Sequence, residues 1–79
     1  MSWNYRIVRK DYSSDLTLLP TYQIHECYYE DDQKSIRFVT ENPINPWGET
    51  LDELKENMHQ MAEAFHKPVI EWEEEWNDE

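Results

Sequence analysis

The chain opens with a segment in which side chains alternate. In Trp3 to Lys10 (WNYRIVRK), Trp3, Tyr5 and Ile7 fall on one side and Asn4, Arg6 and Val8 on the other. Period two with aromatic and β-branched residues predicts a strand. Asp11 to Pro20 carries Ser-Ser-Asp and a proline, and reads as a loop. A second alternating segment, Thr21 to Glu30 (TYQIHECYYE), predicts another strand. The polar break Asp31-Asp32-Gln33-Lys34 has hairpin length, although it lacks the favoured Asn-Gly or Asp-Gly pair. Ser35 to Thr40 (SIRFVT) gives a third strand, and short links make the three an antiparallel meander.

The pattern then changes period. Glu41 to Gly48 holds two prolines and the only glycine, so it continues neither strand nor helix. Thr50-Leu51-Asp52-Glu53 has the spacing of a capping box, with Thr50 as N-cap and Glu53 three residues on. Asp52, Glu53 and Glu56 suit the positive end of a helix dipole. Leu51, Leu54, Met58, Met61, Ala62 and Phe65 recur at three- and four-residue spacing and predict an apolar stripe, read as core. Glu53, Glu56, Gln60, Glu63 and Lys67 fall on the opposite side. Pro68 closes the helix near His66. Val69 to Trp72 predicts a short fourth strand, and Glu73 to Glu79 an acidic, frayed tail.

The expected architecture is α+β, β-β-β-α-β: a three-stranded antiparallel meander, one helix on one face, and a short fourth strand. Residues 1–72 form a single domain and 73–79 the tail. One helix covers one face of such a sheet, so the other face is expected bare. Trp3, Tyr5, Tyr22, Tyr28, Trp72 and Trp76 are the aromatic candidates for meeting a partner. A closed homodimer is the expected way to hide an exposed apolar face.

Composition narrows the function. Seven Lys and Arg against 18 Asp and Glu give a net charge of −11 over 79 residues. The second half is the acidic one: residues 41–79 carry twelve acidic side chains and two basic ones. Counterion release needs clustered cations, and Arg6, Arg9 and Lys10 are the sole candidates, so direct nucleic-acid binding is disfavoured. A small basic protein is the better complement. A single glycine excludes a Gly-rich phosphate loop, and one cysteine excludes an internal disulfide. No apolar run approaches a membrane span, and MSWNYRIVRK lacks a leader's apolar core, which predicts a cytoplasmic protein.

Candidate chemistry is sparse. His25 and Cys27 share one side of a strand, giving two ligand types where a closed zinc site wants about four. They read instead as a half-exposed His25 and a packed Cys27. His59 and His66 lie seven apart on the helix without a nucleophile signature. Asp11 and Glu26 are the sheet-end acids available for a metal site, too few for one. No catalytic residue, metal or cofactor is assigned, and an enzyme is not expected.

Gly48-Glu49-Thr50-Leu51-Asp52-Glu53-Leu54, with the amphipathic helix through Phe65, resembles the helix entry of the HicB-type antitoxin family. Tyr22–Tyr29, Thr40–Pro43 and Lys67–Val69 resemble segments of small stand-alone proteins of unassigned role. The resemblance implies a partial ribonuclease-H-like β-β-β-α-β fold, a tendency to dimerise and capture of a small basic toxin. Where such antitoxins carry a Leu-Pro-Gly segment, this chain has Asn42-Pro43-Ile44-Asn45-Pro46-Trp47. It ends at Glu79 in acidic residues, so operator binding is not implied. The functional expectation is a small acidic, non-enzymatic protein-binding module, antitoxin-like or accessory. The alternative is an acidic inhibitor or nucleic-acid mimic that blocks a basic surface.

Overall fold

A computed structural model describes residues 2–11, 17–73 and 76. Along these the order is β1 (Trp3–Lys10), β2 (Thr21–Tyr29), β3 (Ile36–Val39), α1 (Leu51–Ala62), a 3-10 turn (Glu63–His66) and β4 (Ile70–Glu71). The fold is α+β. Both long strands arise where alternation is cleanest, and β1 pairs antiparallel with β2 from Trp3↔Tyr28 to Lys10↔Thr21. β3 pairs antiparallel with β2, with an irregularity between Tyr28 and Tyr29.

The break between β2 and β3 closes without the favoured dipeptide. Asp32 Oδ1 accepts from the backbone N–H of Lys34 and Ser35 at 2.9 and 2.8 Å, and Oδ2 from the Ser35 hydroxyl. These bonds favour the charged form and hold the Asp32 carboxyl below its ordinary value. Gln33 takes the left-handed conformation, φ 61°, that glycine would otherwise supply.

β4 corrects the expected sheet. It pairs parallel with β1 (Val8↔Ile70, Arg9↔Glu71), so the sheet is mixed, with order β3-β2-β1-β4 and β1 internal. The reason is geometric. β3 ends at one side of the sheet, and α1 with its connections spans enough chain to carry β4 to the far side, beside β1.

Residues opposite one another on paired strands share a face. Trp3, Tyr5, Ile7 and Arg9 therefore lie with Tyr28, Glu26, Ile24 and Tyr22. Val8, Cys27, Val39 and Ile70 lie on the reverse face. α1 sits over the first face, where Asn57 Nδ2 donates to the Tyr5 hydroxyl at 3.1 Å.

The main core is on the other face. Val8, Cys27, Tyr29, Val39, Ile70 and Trp76 form one buried cluster, with Trp72 packed against it. The sheet face expected to be bare is thus covered by Trp72 and Trp76, which meet edge to face at 5.8 Å between ring centroids. Of the expected tail, Glu73 and Trp76 fall within the described residues. Glu73 is exposed, whereas Trp76 retains 7% of its accessible surface.

The helix stripe also departs from expectation. On α1 Met61 is the buried apolar residue, and Leu51 and Met58 are exposed, as is Phe65 in the following turn. The helix itself starts where expected. Thr50 is extended, and its hydroxyl accepts from the Glu53 N–H at 3.1 Å. Its end comes earlier than expected, at Ala62; the chain tightens into the 3-10 turn Glu63–His66, and it is this turn that stops before Pro68, with Lys67 already extended at φ −121°.

Candidate binding groove

The uncovered apolar surface lies between α1 and the sheet. Its floor is Ile7 on β1 with Tyr22 and Ile24 on β2. One wall is Met58, Met61, Ala62 and Phe65, and the other is Pro43 to Pro46. The space between them is about 700 Å³, within the range of about 300–1,000 Å³ usual for binding clefts.

Three sequence features build it. Helical periodicity aligns Met58 and Ala62 along one edge of α1, with Phe65 following in the next turn, while Met61 turns down to the sheet. The prolines at 43 and 46 prevent regular structure between them. Ile44 N–H nevertheless donates to Ile24 O at 2.8 Å, tying this wall to the edge of β2. Asn57 then fixes the helix: its Oδ1 accepts from Trp47 N–H at 2.9 Å while its Nδ2 reaches Tyr5. Wall, helix and floor are linked through one amide side chain.

The groove is apolar yet open. Met58 is 54% exposed and Phe65 73% exposed. Tyr22, Leu51 and Val69 add to the surface, as does Trp47 beside the helix start. Contiguous exposed apolar surface of this kind marks an interaction site more often than a free monomer surface.

The aromatic candidates divide between the two faces. Tyr22 lines the groove. Trp3, Tyr5 and Tyr28 stand further along the same face, where Trp3 packs edge-on to Tyr5 at 5.1 Å and stacks on Tyr28 at 6.1 Å. Tyr28 stacks in turn on Phe38 at 4.7 Å. Its hydroxyl donates to Glu26 Oε1 at 2.6 Å, which stabilises the neutral phenol and pushes its pKa up to about 12. Trp72 and Trp76 lie on the reverse face, away from these four. Sequence reasoning missed Pro43, Ile44 and Pro46, and it assigned Met58 and Phe65 to the core. The available signal was apolar Ile44 inside a segment without regular structure.

The reactive side-chain types lie elsewhere. His25 is 2% exposed, buried rather than half-exposed, because its ring packs beside Trp72 with centroids 5.9 Å apart. His25 Nδ1–H donates to Thr40 O at 2.8 Å, which leaves Nε2 as the unprotonated nitrogen. Burial lowers the His25 pKa and raises that of the Cys27 thiol, so both are held neutral. Both belong to the core face, not the groove. Asp11 pairs with Arg9 at 3.4 Å and Glu26 accepts from Tyr28, so each of these acids serves a local contact. Among the described residues, no group of three or more His, Cys, Asp or Glu is placed to hold a metal ion. No described helix is long and apolar enough to cross a membrane. His59 and His66 are exposed on α1 and the turn after it. No family model, curated protein or solved structure matches the chain.

Proposed function

We propose that this protein is a small non-enzymatic binding module whose groove receives an apolar segment of a partner protein. The observation that carries the reading is the exposure of Met58, on a helix that buries one apolar side chain of its own, and of Phe65 in the turn that follows it. A helix with so little packing gains stability when its open stripe is covered, and groove recognition of an apolar segment does that. The element order β-β-β-α-β and the Gly48–Leu54 helix entry support an antitoxin-like or accessory role of the HicB type. A second reading, an acidic mimic that blocks a basic surface, is favoured by exposed Asp52, Glu53 and Glu56 on α1 and Glu63 just after it.

Site-specific photo-crosslinking separates the two. A benzophenone amino acid is placed at Met58 or Phe65 in the groove, and at Glu56 or Gln60 on the outer face of α1. In the cell that expresses the protein, groove capture yields discrete protein adducts from positions 58 and 65. Adducts from 56 and 60 alone would replace it with the acidic mimic. No adduct from any position would remove both readings.

A further inference from the structure

The acidic half of the chain places its few cations beside the groove. Residues 41–79 contain Lys55 and Lys67 as their sole Lys or Arg side chains, against twelve Asp and Glu. Lys67 is the charged residue in the groove lining. Lys55 follows Leu51 by four residues and precedes Met58 by three, so it borders the exposed stripe. His59 follows Lys55 by four and precedes Ala62 by three, along the same edge. At 100° per residue, Asp52, Glu56 and Gln60 fall beyond that edge, on the far side of α1.

We infer that the groove's occupant is an amphipathic segment with acidic flanks, its apolar side chains against Ile7, Met58 and Phe65 and its carboxylates at Lys55 and Lys67. This rests on the groove being the binding site, and it reverses the partner charge that the net charge suggests. Screening decides between local and global charge. At physiological salt the screening length is about 8 Å. A helix is about 10–12 Å across, so carboxylates seated in the groove feel Lys67, which lines it, and Lys55 at its edge more than the acids on the far side of α1. A second copy of the chain is a poorer occupant. Two such helices packed antiparallel about a two-fold axis would bring their Lys55 edges together, like charge against like.

The test uses two fluorescein-labelled helical peptides with the same Leu stripe at i, i+3, i+4 and i+7. One is flanked by Glu and the other by Lys, and both are titrated into the full chain at physiological salt. The Glu-flanked peptide is expected to bind about tenfold tighter. The preference is expected to reverse in the Lys55→Glu/Lys67→Glu variant, whose fold is checked by far-ultraviolet dichroism. Equal binding, or tighter binding of the Lys-flanked peptide, would overturn the inference while leaving the groove as the site. Failure of both peptides would overturn the groove reading as well. Self-association of the free chain that Met58→Asp abolishes would assign the groove to a second copy, and would also overturn it.

Discussion

Trp76→Ala is expected to cost about 3–5 kcal/mol, the size usual for truncating a buried Trp. Domains of this size hold roughly 5–15 kcal/mol in total, so the variant should be partly unfolded at room temperature. The effect is large because Trp76 closes the core on the sheet face that no helix covers. It buries against a cluster containing Val8, Cys27, Tyr29, Val39 and Ile70, and meets Trp72 edge to face. Its removal opens a cavity that β-strand side chains cannot refill by shifting, because their positions are fixed by the ladder. Trp47→Ala is the matched control, since Trp47 is 68% exposed. It should change stability by about 0.5 kcal/mol or less. Urea denaturation followed by dichroism compares the two. Equal midpoints for both variants would show that the C-terminal tryptophan does not close the core.

Gly48→Ala is expected to cost about 1–3 kcal/mol, the range for forcing an added group into a packed position. The need for glycine here is not conformational freedom, as no glycine has positive φ. It is close approach. A Cβ at position 48 would strike Leu54 N, and would lie 2.8 Å from Glu53 C and 2.9 Å from Glu53 Cβ. Two of these three atoms are backbone in the first turn of α1, so no side-chain rotation relieves the overlap. The helix must move off the segment that leads into it. Because α1 forms one wall of the groove, the same variant should weaken binding of either probe peptide. A urea midpoint equal to wild type would mean that residue 48 does not contact the helix.

Much of the architecture is legible in the sequence because local chemistry specifies it. Alternation marks Trp3–Lys10, where the strand occupies those residues. Thr50 marks the start of α1 through a hydrogen bond between residues three apart. What is illegible depends on contacts distant along the chain. β4 is two residues long, and nothing in Ile70-Glu71 encodes that its neighbour is β1 or that the pairing is parallel. The covering of the reverse face is hidden for a different reason. Trp76 stands among glutamates, which read as solvated charge, yet its ring buries while the neighbouring Glu73 stays exposed.

The groove illustrates the same division. Apolar periodicity locates one face of α1 but not how much of that face the sheet reaches. Met61 and Met58 are three residues apart on the stripe, and the first is 4% exposed while the second is 54% exposed. Asn57 ties the helix to both sides by bonding at once to Tyr5 and to Trp47, two partners that no local pattern joins to it. His25 is likewise unreadable as a buried neutral ring until Thr40 supplies its carbonyl acceptor.

These two methionines give the most direct test of an open groove. With ¹³C-methyl methionine in dilute free protein, a soluble nitroxide should broaden the Met58 methyl signal strongly. The Met61 signal should remain sharp, and added Glu-flanked peptide should then protect Met58. Equal protection of Met58 and Met61 in the dilute free chain would contradict an open groove between helix and sheet.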